Sequence, residues 1–253
     1  MSEDDILISR IKELALKAYN NSYYTYTGFL SPAEISILKR LFVAEPQMSG
    51  LSYKLYGGMD GCERCMAAFG NEEIFGYECE FPIQCIHIKP RMQKYADKLA
   101  HRDILGAVLN LGTTRSNIGD IYLRDNTAYL FCVDTMTEFI MDNLEKVKHT
   151  PVDCLLTNDN IDISINKESR NILVSSLRVD NLIAKVYTLS RNDAQTLVKN
   201  KRVFINQITC ESAGRTLKEN DLVTVRGFGR FEYIATVKET KKGNLSINVD
   251  IWC

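Results

Sequence analysis

The chain has 253 residues, 45% of them hydrophobic, with 31 Lys plus Arg against 32 Asp plus Glu and a mean hydropathy of -0.16. These values exclude a disordered, collagen-like or coiled-coil protein, and the length asks for two or three domains rather than one small core. A net charge of -1 speaks against a nucleic-acid partner only if the charge is evenly spread.

The chain opens on Met1-Ser2-Glu3-Asp4-Asp5, acidic where a secretory leader is basic, and Arg10, Lys12, Glu13 and Lys17 then interrupt the apolar residues. The spacing predicts an amphipathic helix to about Asn21 and no targeting segment. No window approaches about 18 uninterrupted apolar residues, so a cytoplasmic protein without a membrane partner is expected. A second helix is predicted from Ser31-Pro32-Ala33-Glu34, where serine caps, proline suits the first turn and glutamate completes a capping box. Tyr23, Tyr24, Tyr26 and Phe29 lie between the helices; they close a small core or, as the alternative, stack on bases. Leu51 to Tyr56 reads as a strand broken by Gly57-Gly58.

Cys62-Glu63-Arg64-Cys65 is a CxxC with Cys79 and Cys85 downstream, a possible set of four thiolates for zinc. The second pair is spaced by five residues and flanks a predicted strand entry, so buried thiols, no metal and no cofactor are the expectation. Eight scattered cysteines in a chain of this size also call for reduced thiols rather than disulfide staples.

The middle of the chain alternates clearly. Strands are predicted at 84–89, 118–123 and 128–133, helices at 92–109 (with Tyr95, Leu99, Ile104 and Leu105 among its apolar positions) and 137–147, and a last strand at 161–165 or just before it. This order is the split βαβ plait, which RNA-binding modules share with many enzymes and metal carriers. His101-Arg102-Asp103 mimics a kinase catalytic loop, but it falls in a helix and lacks the accompanying glycine-rich and Asp-Phe-Gly motifs, so that reading is rejected. The polar connection 112–120 offers Arg115 as a secondary phosphate contact or, equally, as a plain turn.

From Asn171 onward a strand, two helices (179–186 and about 190–198) and several short strands follow, two helices packed on a curled sheet. Residues 171–253 hold 13 Lys plus Arg against 8 Asp plus Glu, a net of +5; the first 170 hold 18 against 24, a net of -6. Arg178, Lys185, Arg191, Lys199, Lys201 and Arg202 all lie on or beside the two helices. Arginine holds phosphate bidentately and stacks on bases, and lysine adds salt-dependent charge neutralisation. Arg226 and Arg230 flank glycines in Arg226-Gly227-Phe228-Gly229-Arg230, where backbone can approach a phosphate or simply turn a hairpin.

The segments Ser176-Leu177-Arg178-Val179-Asp180, Ser190-Arg191, Val203-Phe204-Ile205-Asn206 and Asn220-Asp221-Leu222-Val223 together resemble the RNA-binding domain named after small-subunit ribosomal protein S-four. The chain departs from that pattern at Lys201 and Gln207, where glycine is common, and at Asn220, a residue that tolerates the left-handed turn. Tyr26-Thr27-Gly28-Phe29-Leu30, Gly57-Gly58 with Glu63-Arg64, His101 to Gly106, Arg115 with Ile118-Gly119-Asp120-Ile121, and Arg226 to Phe231 extend the match in order along most of the chain. The whole is similar to the YlmH family of bacterial RNA-binding proteins.

The resemblance implies a non-enzymatic protein that binds structured RNA, rRNA together with tRNA, on the large ribosomal subunit, with ties to ribosome-associated quality control and cell division. It places Arg178 and Arg191 on the RNA-binding face; Lys185, Lys199, Lys201 and Arg202 join them on electrostatic grounds. The expected class is α+β: a helix-rich α/β domain over 1–72, an RRM-like (ferredoxin-like) plait over 73–170 and an S-four-type domain over 171–253. A monomer without a small-molecule substrate is expected. Two rivals are an RNA-modifying enzyme of pseudouridine synthase type, whose catalytic aspartate segment is missing from this sequence and for whose domain no room follows, and a division-machinery interaction protein.

Overall fold

A computed structural model describes residues 2–48, 50–157, 167–240 and 243–252. Contacts divide the chain into two compact units, Met1–Ile163 and Ser164–Cys253.

The first unit begins with α1 (Glu3–Asn21). Its acidic start is a reciprocal cap, the Asp5 amide donating to Ser2 Oγ (3.2 Å) and the Ser2 amide to the Asp5 carboxylate (2.8 Å). After β1 (Thr25–Tyr26), α2 (Pro32–Ala44) starts where the sequence places it, with the Ser31 amide donating to the Glu34 carboxylate at 2.6 Å. β2 (Tyr53–Tyr56) and β3 (Met66–Phe69) complete an antiparallel sheet of order β1-β3-β2, and α3 (Glu72–Phe75) leads away from it. Tyr24 and Phe29 are buried, Tyr24 edge-on to Phe75 and Tyr77, so these aromatics close a core.

The plait follows as β4 (Ile83–Pro90), α4 (His101–Leu109), β5 (Ile118–Arg124), β6 (Thr127–Val133), α5 (Thr137–Asn143), β7 (Lys146–Val147) and β8 (Thr150–Thr157), with sheet order β5-β6-β4-β8-β7. The last strand of the plan is β8, before residues 161–165, which lie outside the described residues. Ile104, Val108, Ile140 and Leu144 seal one sheet face through Ile86, Ile88 and Leu130. Phe131 and Cys85 on the other face join the core beneath α1 and α2. Glycines make that junction possible: a Cβ on Gly58 (φ +105°) would stand 2.2 Å from the Phe131 ring, and one on Gly119 2.6 Å from the Phe29 ring.

Two predicted helices are shorter in the structure. α4 starts at His101 rather than at 92: Gln93–Tyr95 make a single 3-10 turn, and Asn126 then holds the backbone out of the helix, its side chain accepting from the Leu99 amide (2.8 Å) and donating to the Asp97 carbonyl (3.0 Å). Tyr95, expected on an apolar helix face, is 77% exposed. α5 ends at Asn143, since Lys146 and Val147 pair with β8 as a strand.

The second unit comprises β9 (Lys167–Val174), α6 (Val179–Val186), α7 (Arg191–Lys199), β10 (Val203–Ile205), β11 (Ile208–Thr209), β12 (Asp221–Val225), β13 (Gly229–Glu239) and β14 (Leu245–Trp252). Its antiparallel sheet runs β11-β10-β12-β13-β14-β9, and Val179, Leu182, Ile183, Ala194, Leu197 and Val198 of the helices bury against Val223, Phe231 and Val249. Lys201 (φ +54°), Gln207 (φ +65°) and Asn220 (φ +65°) all take the left-handed turn, at the positions where the pattern favours glycine. At the end of α7 the Lys201 amide donates to the Val198 carbonyl (2.9 Å) and the Arg202 amide to that of Leu197 (3.0 Å), a Schellman closure that requires the turn.

Candidate nucleic-acid interface

The centre of the site is a carboxylate. Arg178 ends an extended segment and caps α6, so Asp180 falls in the first helical turn, where its side chain is fully buried. Asp180 Oδ1 accepts from Arg178 Nε (3.1 Å), while Oδ2 accepts from Arg178 Nη2 (2.8 Å), Arg191 Nε (3.2 Å) and Gln195 Nε2 (3.0 Å). Burial alone would raise this carboxyl, but the donors from Arg178, Gln195 and Arg191 outweigh it and hold the group well below the usual carboxylate range. The Arg178 guanidinium is pushed up in turn by its hydrogen bond to Asp180. Gly214 leaves room for that guanidinium, since a Cβ there would meet Arg178 Nη1 at 3.2 Å. Ser190 Oγ accepts from the Asp193 amide (3.1 Å) and so sets the start of α7, from which Arg191 reaches Asp180. Both guanidinium groups remain open to solvent, with side chains 38% and 53% exposed.

Arg191, Gln195 and Lys199 recur every four residues on α7, a line of about 12 Å at 1.5 Å rise per residue. Arg202 follows three residues on. Its Nη2 donates to the Arg226 carbonyl (2.7 Å), its carbonyl accepts from the Arg226 amide (2.9 Å), and Arg226 lies 5.7 Å over the Phe204 ring. Gly227 (φ +91°) turns the hairpin, where a Cβ would meet Arg202 Nη2 at 2.6 Å. Lys185, Lys199, Lys201, Arg202 and Arg226 are exposed. Arg230 is not: it is 7% exposed, 5.2 Å over the Trp252 ring that faces it across β13 and β14.

Arg115 also turns inward. Its Nη1 donates to the carbonyls of Ile118 (2.7 Å) and Gly119 (3.1 Å), and burial, reinforced by the neighbouring Arg64 charge, pushes it down to about 10. Arg64 in turn donates to the carbonyls of Phe29 (2.7 Å), Arg115 (3.0 Å) and Ile118 (3.0 Å), and the Asp120 carboxylate accepts from the amides of Glu63 (2.6 Å) and Arg64 (3.2 Å). The motifs around Phe29, Gly57-Gly58, Arg64 and Arg115 thus meet at the junction between the N-terminal layer and the plait, while His101 to Gly106 lies on α4. Cys62 and Cys65 lie beneath it, their thiols donating to the carbonyls of Gly57 and Cys62, and burial pushes Cys65 up to about 12. Asp103 of the His-Arg-Asp triplet accepts from the Ala100 amide (2.9 Å) and pairs with Lys148 (2.7 Å).

Sequence reasoning missed Asp180 and Gln195 as organisers. The available signal was an aspartate two residues after Arg178 inside an otherwise apolar helix start, a costly place for a carboxylate without donors.

Residues 77–176 match the family model described as "Putative RNA-binding domain in YlmH", and residues 177–223 match the S4 domain. A relative from Bacillus subtilis (strain 168), "Ribosome-associated protein quality control protein P2", is 32% identical over 225 residues, which are 85% of this chain and 82% of the relative. The chain belongs to the YlmH family. Among solved structures, "Cell division protein ylmH from Streptococcus pneumoniae" is 24% identical, covering 62% of this chain and 92% of that one with a TM-score of 0.49. In this YlmH-family chain the buried Asp180 and both arginines fall within the S4 match, and the Arg115 loop falls within the RNA-binding match. Among the described residues, no helix is long and apolar enough to cross a membrane, and no group of three or more His, Cys, Asp or Glu is placed to hold a metal ion.

Proposed function

We propose that this chain is a non-enzymatic, cytoplasmic protein that binds structured RNA, rRNA with tRNA, on the large ribosomal subunit and serves ribosome-associated quality control, with a link to cell division. The observation that carries the reading is the shared carboxylate of Asp180. It holds Arg178 and Arg191 side by side with their outer N–H groups facing solvent, a fork pair matched to phosphate oxygens. Lys199, Arg202 and Arg226 extend the charge along α7 to the hairpin, in the manner of a face that follows a nucleic-acid backbone. Ribosome-associated quality control is the role printed for the Bacillus relative, and cell division the role printed for the Streptococcus protein.

The test is cosedimentation of the full chain with large subunits. Arg178→Gln with Arg191→Gln should abolish association at moderate salt; glutamine keeps an N–H donor for the buried Asp180 where glutamate would set a second carboxylate against it, and Trp252 fluorescence checks that the unit stays folded without its ion pairs. Cosedimentation of the double variant at the wild-type level would overturn the proposed face. Purified wild-type protein should bring down rRNA or tRNA that rising salt releases.

A further inference from the structure

The plait carries a second surface with the marks of RNA contact, and it lies elsewhere than Arg115. The connection from β4 to α4 leaves the sheet as an exposed arm. Met92 and Tyr95 on it are 68% and 77% exposed, and Lys94 Nζ sits 5.6 Å from the Tyr95 ring centre. Between Lys89 and Arg102 the chain places five cations (Lys89, Arg91, Lys94, Lys98 and Arg102) against one carboxylate, within a part of the sequence that is otherwise acidic. That carboxylate, Asp97, is already committed inward, accepting from the His149 amide (3.3 Å) and the Thr150 hydroxyl (3.1 Å).

The arm is held in place. Gln93 Nε2 donates to the Asp125 carbonyl (2.7 Å), and Asn126 grips the backbone at Asp97 and Leu99, so the arm lies against the turn between β5 and β6. A depression of about 380 Å³ opens there, with Ala96, Leu99 and Leu123 giving it an apolar floor and Lys98, Arg124, Asp125 and Asn126 a polar rim. Arg91 pairs with Asp153 (2.9 Å) with both side chains more than half exposed, and exposed pairs exchange at little cost.

We propose that this arm, set against the β5–β6 turn, forms an RNA-binding surface for an unpaired segment, with a base stacked on Tyr95 and phosphates met by Arg91, Lys94 and Lys98. Cations interleaved with an exposed aromatic ring suit a single strand, because a paired base offers no free face to stack. The inference shares its partner class with the function proposed above but not its residues, so the two can fail separately.

The test uses the full chain and two probes in fluorescence anisotropy: a uridine oligonucleotide of about 12 nucleotides, within the usual span of single-strand sites, and a folded RNA hairpin. Tyr95→Ala should weaken oligonucleotide binding by about 5- to 150-fold, the range for loss of one stacked base. Lys94→Gln with Lys98→Gln should lower the slope of log affinity against log salt by about 1.4, since each phosphate contact to a single strand contributes about 0.7. These residues are exposed, so circular dichroism should match the wild type. Oligonucleotide binding that is unchanged in both variants, or that falls only with Arg178→Gln and Arg191→Gln, would overturn the surface while leaving the S4 face standing. A wild-type protein that binds the hairpin but not the oligonucleotide would overturn it too, and one that binds neither would remove both readings.

Discussion

Replacing Asp180 with Asn separates two accounts of the arginine pair. If the face works by net charge alone, removing a carboxylate strengthens RNA binding. If Asp180 works by holding the arginines, the same change weakens it. The carboxylate accepts four hydrogen bonds, three of them from guanidinium groups. An asparagine that keeps its oxygen at the Oδ2 position turns an NH₂ toward Arg178 Nε, setting donor against donor at a buried position, which costs about 1–3 kcal/mol. The lost charge adds little, about 0.5–1 kcal/mol, because both arginines are more than a third exposed. A loss of about 2–3 kcal/mol lowers the urea midpoint by roughly 1–2 M. Trp252 is the only tryptophan and lies in β14, so its fluorescence follows this unit alone. Two freed side chains must then be ordered on binding at about 0.5–1.5 kcal/mol each, which weakens hairpin RNA binding by about 5- to 150-fold. RNA affinity that is unchanged or increased, with the variant still folded by Trp252 fluorescence, would refute the positioning role.

Acid titration tests the same group. The Asp180 carboxyl is depressed in the folded chain, so its contribution is present above the unfolded value of about 3.9 and is lost progressively as pH falls below it toward the lower folded value; that limb of the Trp252 stability profile should flatten in Asp180→Asn. Lys201→Gly relieves a left-handed turn at the end of α7 and should stabilise the second unit by about 0.5–1 kcal/mol while removing one cation, so the urea midpoint rises as RNA affinity falls slightly. Gly58→Ala combines a disfavoured φ with a clash against the buried Phe131 ring and should destabilise the first unit by about 3 kcal/mol, read by far-UV circular dichroism.

Local chemistry made much of the fold legible. Ser31 and Glu34 announced α2, the apolar spacing of Val179 to Val186 announced α6, and the strand and helix order gave the plait. What stayed hidden depends on distant partners. Tyr95 and Leu99 have helical spacing, yet the side chain of Asn126 draws that stretch out of the helix. Arg230 reads like Arg226 until Trp252 covers it from the neighbouring strand. Arg178 and Arg191 were legible as a charged pair, but the burial of Asp180 that joins them follows from how α6 and α7 pack, which no spacing along the chain records.

The glycine contacts at Gly58 and Gly119 have a mechanical consequence. With Phe131 and Phe29 seated against bare backbone there is no slack at the seam, and Arg64 stitches its edge. The acidic N-terminal layer therefore behaves as a handle fixed to the plait rather than as a tethered appendage. Whatever docks the plait also aims that handle, and a partner that grips it senses how the plait is seated.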